Sequence, residues 1–417
     1  MARLIEKVTR LEKALDLISS TVRLKVDEKE VGLVEACGMI ASRDVRAPYD
    51  IPQFDRAAVD GYAVRAEDTY GASPVSPVEL LLLGRIDASK SAEDIPYLKP
   101  GCAVEIATGA PLPRGANAVI MYEDVERRDD KVLVHRPIPR WSNVSRKGED
   151  FQKGSPIVEK GSIVMPWHIA ALASFGYSTI KVFRKVRVCV IATGSEIVEP
   201  KNPVPLSRGV YNSTAYIVLA TLSRYRFLDV KYMGVVRDEV HTVQEVLSQA
   251  FSKECEVVIT TGGTGVSPDD VVPQAVESMG KVLVRGIAIR PGRPTSVGYV
   301  DGRPIFMLSG FPVAAYIATE FLVIPAILRM VRAKSLKRHA IKAKLMRRVA
   351  NVAGYRSFVR VKLYRCGDEM CAEPIRVTGS GVISSLIQGG GILVIPEDVE
   401  GYECGEIVDV FPLDFYP

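Results

Sequence analysis

The chain has 417 residues, 47% hydrophobic, 25% charged and 7% aromatic, which excludes an intrinsically disordered chain and, at this length, a single small core. Its net charge of +5 is local, because Arg332 to Arg348 carries eight basic residues and no acid. That segment has neither stacking aromatics nor a known nucleic-acid module, so it reads as a solvated linker and nucleic acid is not an expected partner.

In chain order, Leu4, Ile5, Val8, Leu11, Leu15 and Ile18 recur at three- to four-residue spacing, the stripe of an amphipathic helix packed on a neighbour. Glu6, Lys7, Arg10, Glu12 and Lys13 interrupt any apolar signal segment, and no uncharged run approaches a membrane span. A cytoplasmic location is the expectation. Residues 51–180 are punctuated by Ser73-Pro74, Lys99-Pro100-Gly101 and Lys160-Gly161, which suits short strands and turns. The one helix predicted there runs from Trp167 to Phe175, with Pro166 at its start and Gly176 as its stop.

From about Arg184 the texture changes to alternating strands and helices, the mark of a layered, mostly parallel α/β domain. Strands are predicted at 186–192, 228–236, 256–261, 281–289, 295–300 and 304–308. Helices are predicted from the Asn212-Ser213 cap to about Tyr225, from Asp238-Glu239 to about Ser252, after the 262–270 turn to about Ser278, and at 312–330. Beyond the basic segment, 357–365 and 405–412 alternate like half-exposed strands of a small all-β terminal domain. The seven cysteines are scattered, without a C-x-x-C pair, so neither a disulfide framework nor a zinc cage is expected. Cys189 and Cys255 sit in apolar runs and read as core thiols, while Cys366 and Cys371 are too few for a structural metal site.

In open α/β sheets, ligands bind outside the carboxyl ends of the strands. That focuses attention on the turns at 193–196, 262–270 and 308–312. In the second, Gly262, Gly263 and Gly265 let backbone N–H groups approach an anion, and Ser267, Pro268 and Asp270 have the order of a helix cap, first helical residue and capping acid. The turn lacks the spacing of a dinucleotide fingerprint or a P-loop. Glu196, Asp238 and Asp270 follow strand ends on one edge of the sheet. Each alone also reads as a helix cap, but carboxylates gathered beside a phosphate site commonly hold Mg²⁺. Arg290 and Arg293 flank Pro291-Gly292, a turn that can present two guanidiniums to phosphate or another oxyanion, or else form surface salt bridges.

Nine collinear segments resemble the molybdopterin molybdenumtransferase family, the MoeA family that includes the C-terminal part of gephyrin. They are 52–65 (PQFDRAAVDGYAVR), 107–124, 146–154, 190–198, 211–218, 234–239, 260–270 (TTGGTGVSPDD), 290–298 (RPGRPTSVG) and 307–315 (MLSGFPVAA). The resemblance implies a multidomain α/β plus β fold: a molybdopterin-binding three-layer α/β domain, a β-rich N-terminal region, an inserted lobe and a C-terminal β-barrel. The implied boundaries are 1–20 for the N-terminal helix, 21–50 with 148–180 for a β-rich domain, 51–147 for the inserted lobe, 181–330 for the α/β domain and 331–417 for the barrel.

The resemblance also implies a reaction in which adenylylated molybdopterin is hydrolysed with molybdate or tungstate and Mg²⁺ or another divalent cation, releasing AMP. The implied partners are a second copy, in an elongated homodimer whose cleft lies between subunits, and the preceding adenylyltransferase. Asp60, Thr108 and Asp150 match the family's functional polar residues, and Glu196, Asp238 and Asp270 its acids. Gly262, Gly263, Thr264, Gly265 and Ser267 match the turn. Arg290 and Arg293 replace its lysines, substituting planar forks for point charges. Arg360 or Arg356, with Ser384 or Ser385, falls near the family's Arg and Ser beside the oxyanion. At 308–314, Gly310 and Pro312 keep the shape of a family turn, but Phe311 and Ala314 stand where it has Asn and Ser. Two rivals remain: the adenylyltransferase itself, and a non-catalytic scaffold reusing the fold.

Overall fold

The structure is a computed structural model that describes residues 8–200, 209–264, 270–336, 338–376 and 379–413. The chain divides into two compact units. One comprises Asp44–Glu159 and Ser174–Gly176, and the other comprises the residues up to Arg43, Lys160–Ala173 and those from Tyr177 onward.

The larger unit is built on a six-stranded sheet of β1 (Val186–Thr193), β2 (Leu228–Val236), β3 (Val257–Thr261), β4 (Lys281–Val284), β5 (Ser296–Val300) and β6 (Arg303–Leu308), in the order β2-β1-β3-β6-β5-β4. β2, β1, β3 and β6 run parallel, whereas β5 and β4 pair antiparallel at one edge. Side chains on successive strand residues point to opposite faces. On β1, Val188, Val190 and Ala192 accordingly join one core, and Cys189 and Ile191 the other.

Helices cover both faces. α1 (Leu11–Thr21), α2 (Thr214–Ser223) and the apolar helix α5 (Pro312–Met330) pack on the first. α3 (Val240–Ser252) and α4 (Val271–Met279) pack on the second. This is the expected three-layer arrangement. Burying a side chain such as Leu222 or Leu247 contributes roughly 1.5–3 kcal/mol. α5 has 19 residues and the hydropathy of a membrane span, yet 78% of its apolar window is buried inside the protein. It is a core helix, with a π turn at Thr319–Val323 in its middle.

The terminal region closes into a barrel of β7 (Ile341–Leu345), β8 (Arg356–Cys366), β9 (Glu369–Arg376), β10 (Gly391–Ile395) and β11 (Ile407–Pro412). Pairing runs β8-β9-β7-β11-β10 and returns from β10 to β8. A barrel leaves no free sheet edge, which suits a small domain of half-exposed strands. The smaller unit carries its own six-stranded sheet, with Gly61–Val64 between Ala118–Met121 and Cys102–Ile106, and a core on each face.

Several sequence expectations are corrected. α1 starts at Leu11; Val8 and Thr9 are not helical, and Thr9 bridges Ile287 instead. The predicted strand at 281–289 stops at Val284, before Gly286 at φ +72°, and Ile289–Arg290 pairs with β8 of the barrel. α4 starts at Val271 with Asp270 as its cap residue, later than a Ser267 cap requires; Gly265, Ser267 and Pro268 lie outside the described residues. The basic segment is not simply a linker. Residues 341–345 form β7, and its cations pair with acids, Lys342 with Asp409 at 2.8 Å and Arg348 with Glu403 at 3.0 Å. The cysteine reading also fails, because disulfides join Cys189 to Cys255 and Cys366 to Cys371. Adjacent parallel strands bring Cys189 of β1 beside the start of β3, a proximity that spacing along the chain does not reveal.

Candidate functional site

Two adjoining cavities open at the carboxyl edge of the parallel strands. The larger, of about 660 Å³, is bounded by the turns that follow β1, β3 and β6, and both Glu196 and Asp238 line it. Its floor is the glycine turn. Gly262 has φ +90° and Gly263 φ +61°, conformations that L side chains rarely adopt. A Cβ at Gly262 would lie 2.2 Å from the Thr193 carbonyl oxygen, and one at Gly310 would lie 3.3 Å from the Gly262 Cα. The turns after β1, β3 and β6 are therefore pressed backbone to backbone, and only glycine fits between them.

Hydrogen bonds fix this floor. Gly262 N–H donates to the Leu308 carbonyl at 3.1 Å, the Thr264 hydroxyl donates to the same carbonyl at 2.9 Å, and the Thr214 hydroxyl donates to the Gly310 carbonyl at 2.7 Å. Asn212 caps α2 by accepting from Ala215 N–H at 3.1 Å, and its amide donates to the Tyr232 hydroxyl at 2.7 Å. The floor is thus set before any ligand arrives.

At one side of the turn, Ser195 N–H donates to Asp238 Oδ2 at 3.4 Å. Desolvation in the cleft raises the Asp238 pKa, the Ser195 amide opposes that rise, and the negative charge of Glu196 adds to it. An Asp238 carboxylate that ionises less readily in this cleft is relieved by a cation. Mg²⁺ takes one or two protein carboxylates and completes its shell with water and substrate phosphate oxygens, so Glu196 and Asp238 fit a divalent ion. Asp270 occupies the N-cap position of α4 and does not line this cavity.

The second cavity, of about 420 Å³, is lined by Arg290, Arg293 and Arg360 with Tyr355 and Ser380, and it shares Gly292, Pro294 and Ser380 with the first. Arg360 is only 1% exposed. Its Nε donates to the Ser385 hydroxyl at 3.2 Å, and its Nη atoms donate to the Phe358 and Gly379 carbonyls at 3.3 Å. Three guanidiniums gathered on one cavity suit an oxyanion. Arg356 is differently placed, because its Nη2 pairs with the buried Glu397 at 3.0 Å. Ser385 is buried behind Arg360, whereas Ser384 is exposed on the same short helix. No spacing signal in the sequence marks Ser380 or Tyr355.

In the smaller unit, Thr108 N–H donates to Asp60 Oδ1 at 2.8 Å. Thr108 lines a separate cavity of about 470 Å³ with Arg56, Asn143, Ser145 and Glu149. Asp150 is exposed, and its N–H donates to the Ile51 carbonyl at 3.1 Å.

Comparisons with known proteins agree along the chain. Residues 9–176 match the MoeA N-terminal region (domain I and II), 189–329 a probable molybdopterin binding domain, and 342–413 the MoeA C-terminal region (domain IV). A protein of Methanocaldococcus jannaschii named for molybdopterin biosynthesis is 37% identical over 99% of this chain and 100% of its own length. A molybdopterin molybdenumtransferase of Staphylococcus aureus is 32% identical over 91% of this chain and 90% of its own. The crystal structure of a molybdopterin biosynthesis MoeA protein from Pyrococcus horikoshii superimposes with a TM-score of 0.81 at 33% identity, covering 97% of this chain and 100% of that one.

Proposed function

As this chain belongs to the molybdopterin molybdenumtransferase (MoeA) family of molybdenum cofactor biosynthesis, we propose that it inserts molybdate or tungstate into adenylylated molybdopterin, with hydrolysis of the phosphoanhydride and release of AMP. The observation that carries this reading is the pairing of a glycine-floored cavity beside two carboxylates with an adjoining cavity walled by three arginines. A phosphate-bearing pterin and a tetrahedral oxyanion need those two environments side by side.

In this reading, the turn binds the pterin phosphate through the backbone N–H groups that follow Gly262, those of Gly263 and Thr264, the Gly262 N–H being held by the Leu308 carbonyl. Glu196 and Asp238 would hold Mg²⁺ or another divalent cation. When bound, that ion supplies charge neutralisation across the pyrophosphate. Gly310 and Pro312 shape the wall opposite. Water adds across the anhydride: one phosphate leaves as AMP and the other stays on the pterin. Positioning and charge stabilisation carry such a reaction. Arg290, Arg293 and Arg360 receive the oxyanion, and Ser385, which accepts from Arg360, orients the fork, with Ser384 beside it. Asp60, Thr108 and Asp150 are assigned further polar contacts to substrate. The working unit is a homodimer in the cytoplasm that receives its substrate from the preceding adenylyltransferase.

The test is to incubate the purified chain with adenylylated molybdopterin and Mg²⁺, adding molybdate or tungstate. Oxyanion-stimulated AMP release is expected. Absence of stimulation by either sinks the proposal, and ATP consumption without oxyanion points to the adenylyltransferase activity instead.

A further inference from the structure

Phe311 stands where the family turn carries Asn, and its ring is presented rather than buried. The residue is 57% exposed and lines the larger cavity. Its backbone is immobilised: Phe311 N–H donates to the Ser309 hydroxyl at 3.3 Å, its carbonyl accepts from Ala315 N–H at 2.9 Å, and Pro312 starts α5 immediately after it. The neighbouring Val313 N–H donates to the Ser380 carbonyl at 3.0 Å. The ring rests on backbone, since a Cβ at Gly381 would lie 3.1 Å from Phe311 Cδ1. An aromatic ring with one side against a glycine and the rest open to a ligand cavity is a stacking platform, because planar ring systems gain from offset contact with an aromatic side chain.

The sheet order decides what lies on it. The glycine turn follows β3; Glu196 and Asp238 follow β1 and β2 on one side of it, and Phe311 follows β6 on the other. A ligand whose phosphate rests on the turn and whose pyrophosphate extends toward the acids sends its remaining ring system toward Phe311. That side also adjoins the arginine-walled cavity through the shared Gly292, Pro294 and Ser380.

We propose that Phe311 is the stacking platform for the fused pterin ring of the substrate, and so a specificity-determining residue that discriminates the pterin end from the adenylate end. This rests on the function proposed above and deepens it. Loss of the Asn does not weaken recognition at this turn; an aromatic face replaces a polar contact.

The experiment measures equilibrium binding of molybdopterin and, separately, of AMP to the intact chain and to Phe311→Ala and Phe311→Trp. Stacking of a heterocycle on an aromatic side chain predicts that Phe311→Ala weakens molybdopterin binding about tenfold. AMP binding stays within about twofold, because the platform is assigned to the pterin alone. Phe311→Trp retains molybdopterin affinity, and its indole emission changes on binding. Unchanged molybdopterin affinity in Phe311→Ala, or an equal loss for both ligands, overturns the stacking assignment while leaving the function intact. Failure of the unsubstituted chain to bind molybdopterin overturns both.

Discussion

Replacing Arg360 by Lys separates charge from geometry at the oxyanion cavity. The guanidinium is 1% exposed and donates from three separate nitrogens, to Ser385, Phe358 and Gly379, at 3.2–3.3 Å. A lysine keeps the positive charge but gathers its donors on one atom, so about two of those bonds are lost. At the low end for bonds from a charged group, given their length, that costs roughly 3 kcal/mol of stability. Ser385 is not orphaned, because its hydroxyl still donates to the Val382 carbonyl at 2.6 Å. One charge-assisted bond to the oxyanion, worth about 1.5 kcal/mol or more, corresponds to a rise of about tenfold or more in half-saturating molybdate. The assay is AMP release against molybdate concentration, with circular dichroism and thermal melting to show that the variant is folded. Saturating molybdate is expected to recover most of the rate, and Arg290→Ala, at the exposed mouth, to shift half-saturation less. A folded Arg360→Lys chain with unchanged half-saturation refutes the assignment of Arg360 to the oxyanion.

Other outcomes follow from the same geometry. Gly262→Ala places a Cβ 2.2 Å from the Thr193 carbonyl at a φ of +90°, so the turn must shift; thermal melting is expected to fall by the equivalent of about 2 kcal/mol or more, with loss of AMP release. Glu320→Leu removes the carboxylate that lies 3.7 Å from Arg224 and 2.9 Å from Arg338. A loss of about 2–4 kcal/mol in urea unfolding is expected, below the ~3–5 of a fully buried pair because both guanidiniums reach solvent. The Asp238 carboxyl has a raised pKa, so its ionisation weakens the metal-free fold as pH climbs from the usual aspartate range through the raised value. Asp238→Asn is expected to flatten the pH dependence of melting in that window while abolishing cation-dependent AMP release; an unaltered profile counts against a desolvated Asp238. Thiol titration in denaturant is expected to find Cys37, Cys102 and Cys404 free before reduction and all seven cysteines after it.

The alternation of apolar strands and capped helices after Arg184 makes the layered α/β core legible, because each apolar run is long and periodic. Val186–Thr193 and Leu228–Val236 fall where hydrophobic pattern places them. Pattern fails where tertiary pairing decides. Lys342 and Lys344 look solvated in sequence, yet the alternate residues Ala343 and Leu345 carry β7 into the barrel core. Ile289–Arg290 leaves the run it belongs to in sequence and pairs with β8. At the site, Gly262, Gly263, Glu196 and Asp238 carry recognisable turn and carboxylate chemistry and line one cavity. Tyr355 comes to the neighbouring cavity because Ile289–Arg290 pairs with the start of β8, Ser380 is tied there by the Val313 N–H, and Phe311 reads as a lost polar contact until its ring is seen against Gly381.

The most direct measurement is single-turnover stoichiometry: the intact chain is mixed with adenylylated molybdopterin, Mg²⁺ and molybdate, and both AMP released and molybdenum retained on the pterin are quantified. The account predicts equal amounts of the two, each dependent on added oxyanion. AMP release that proceeds equally without oxyanion, or that leaves the pterin free of metal, contradicts it.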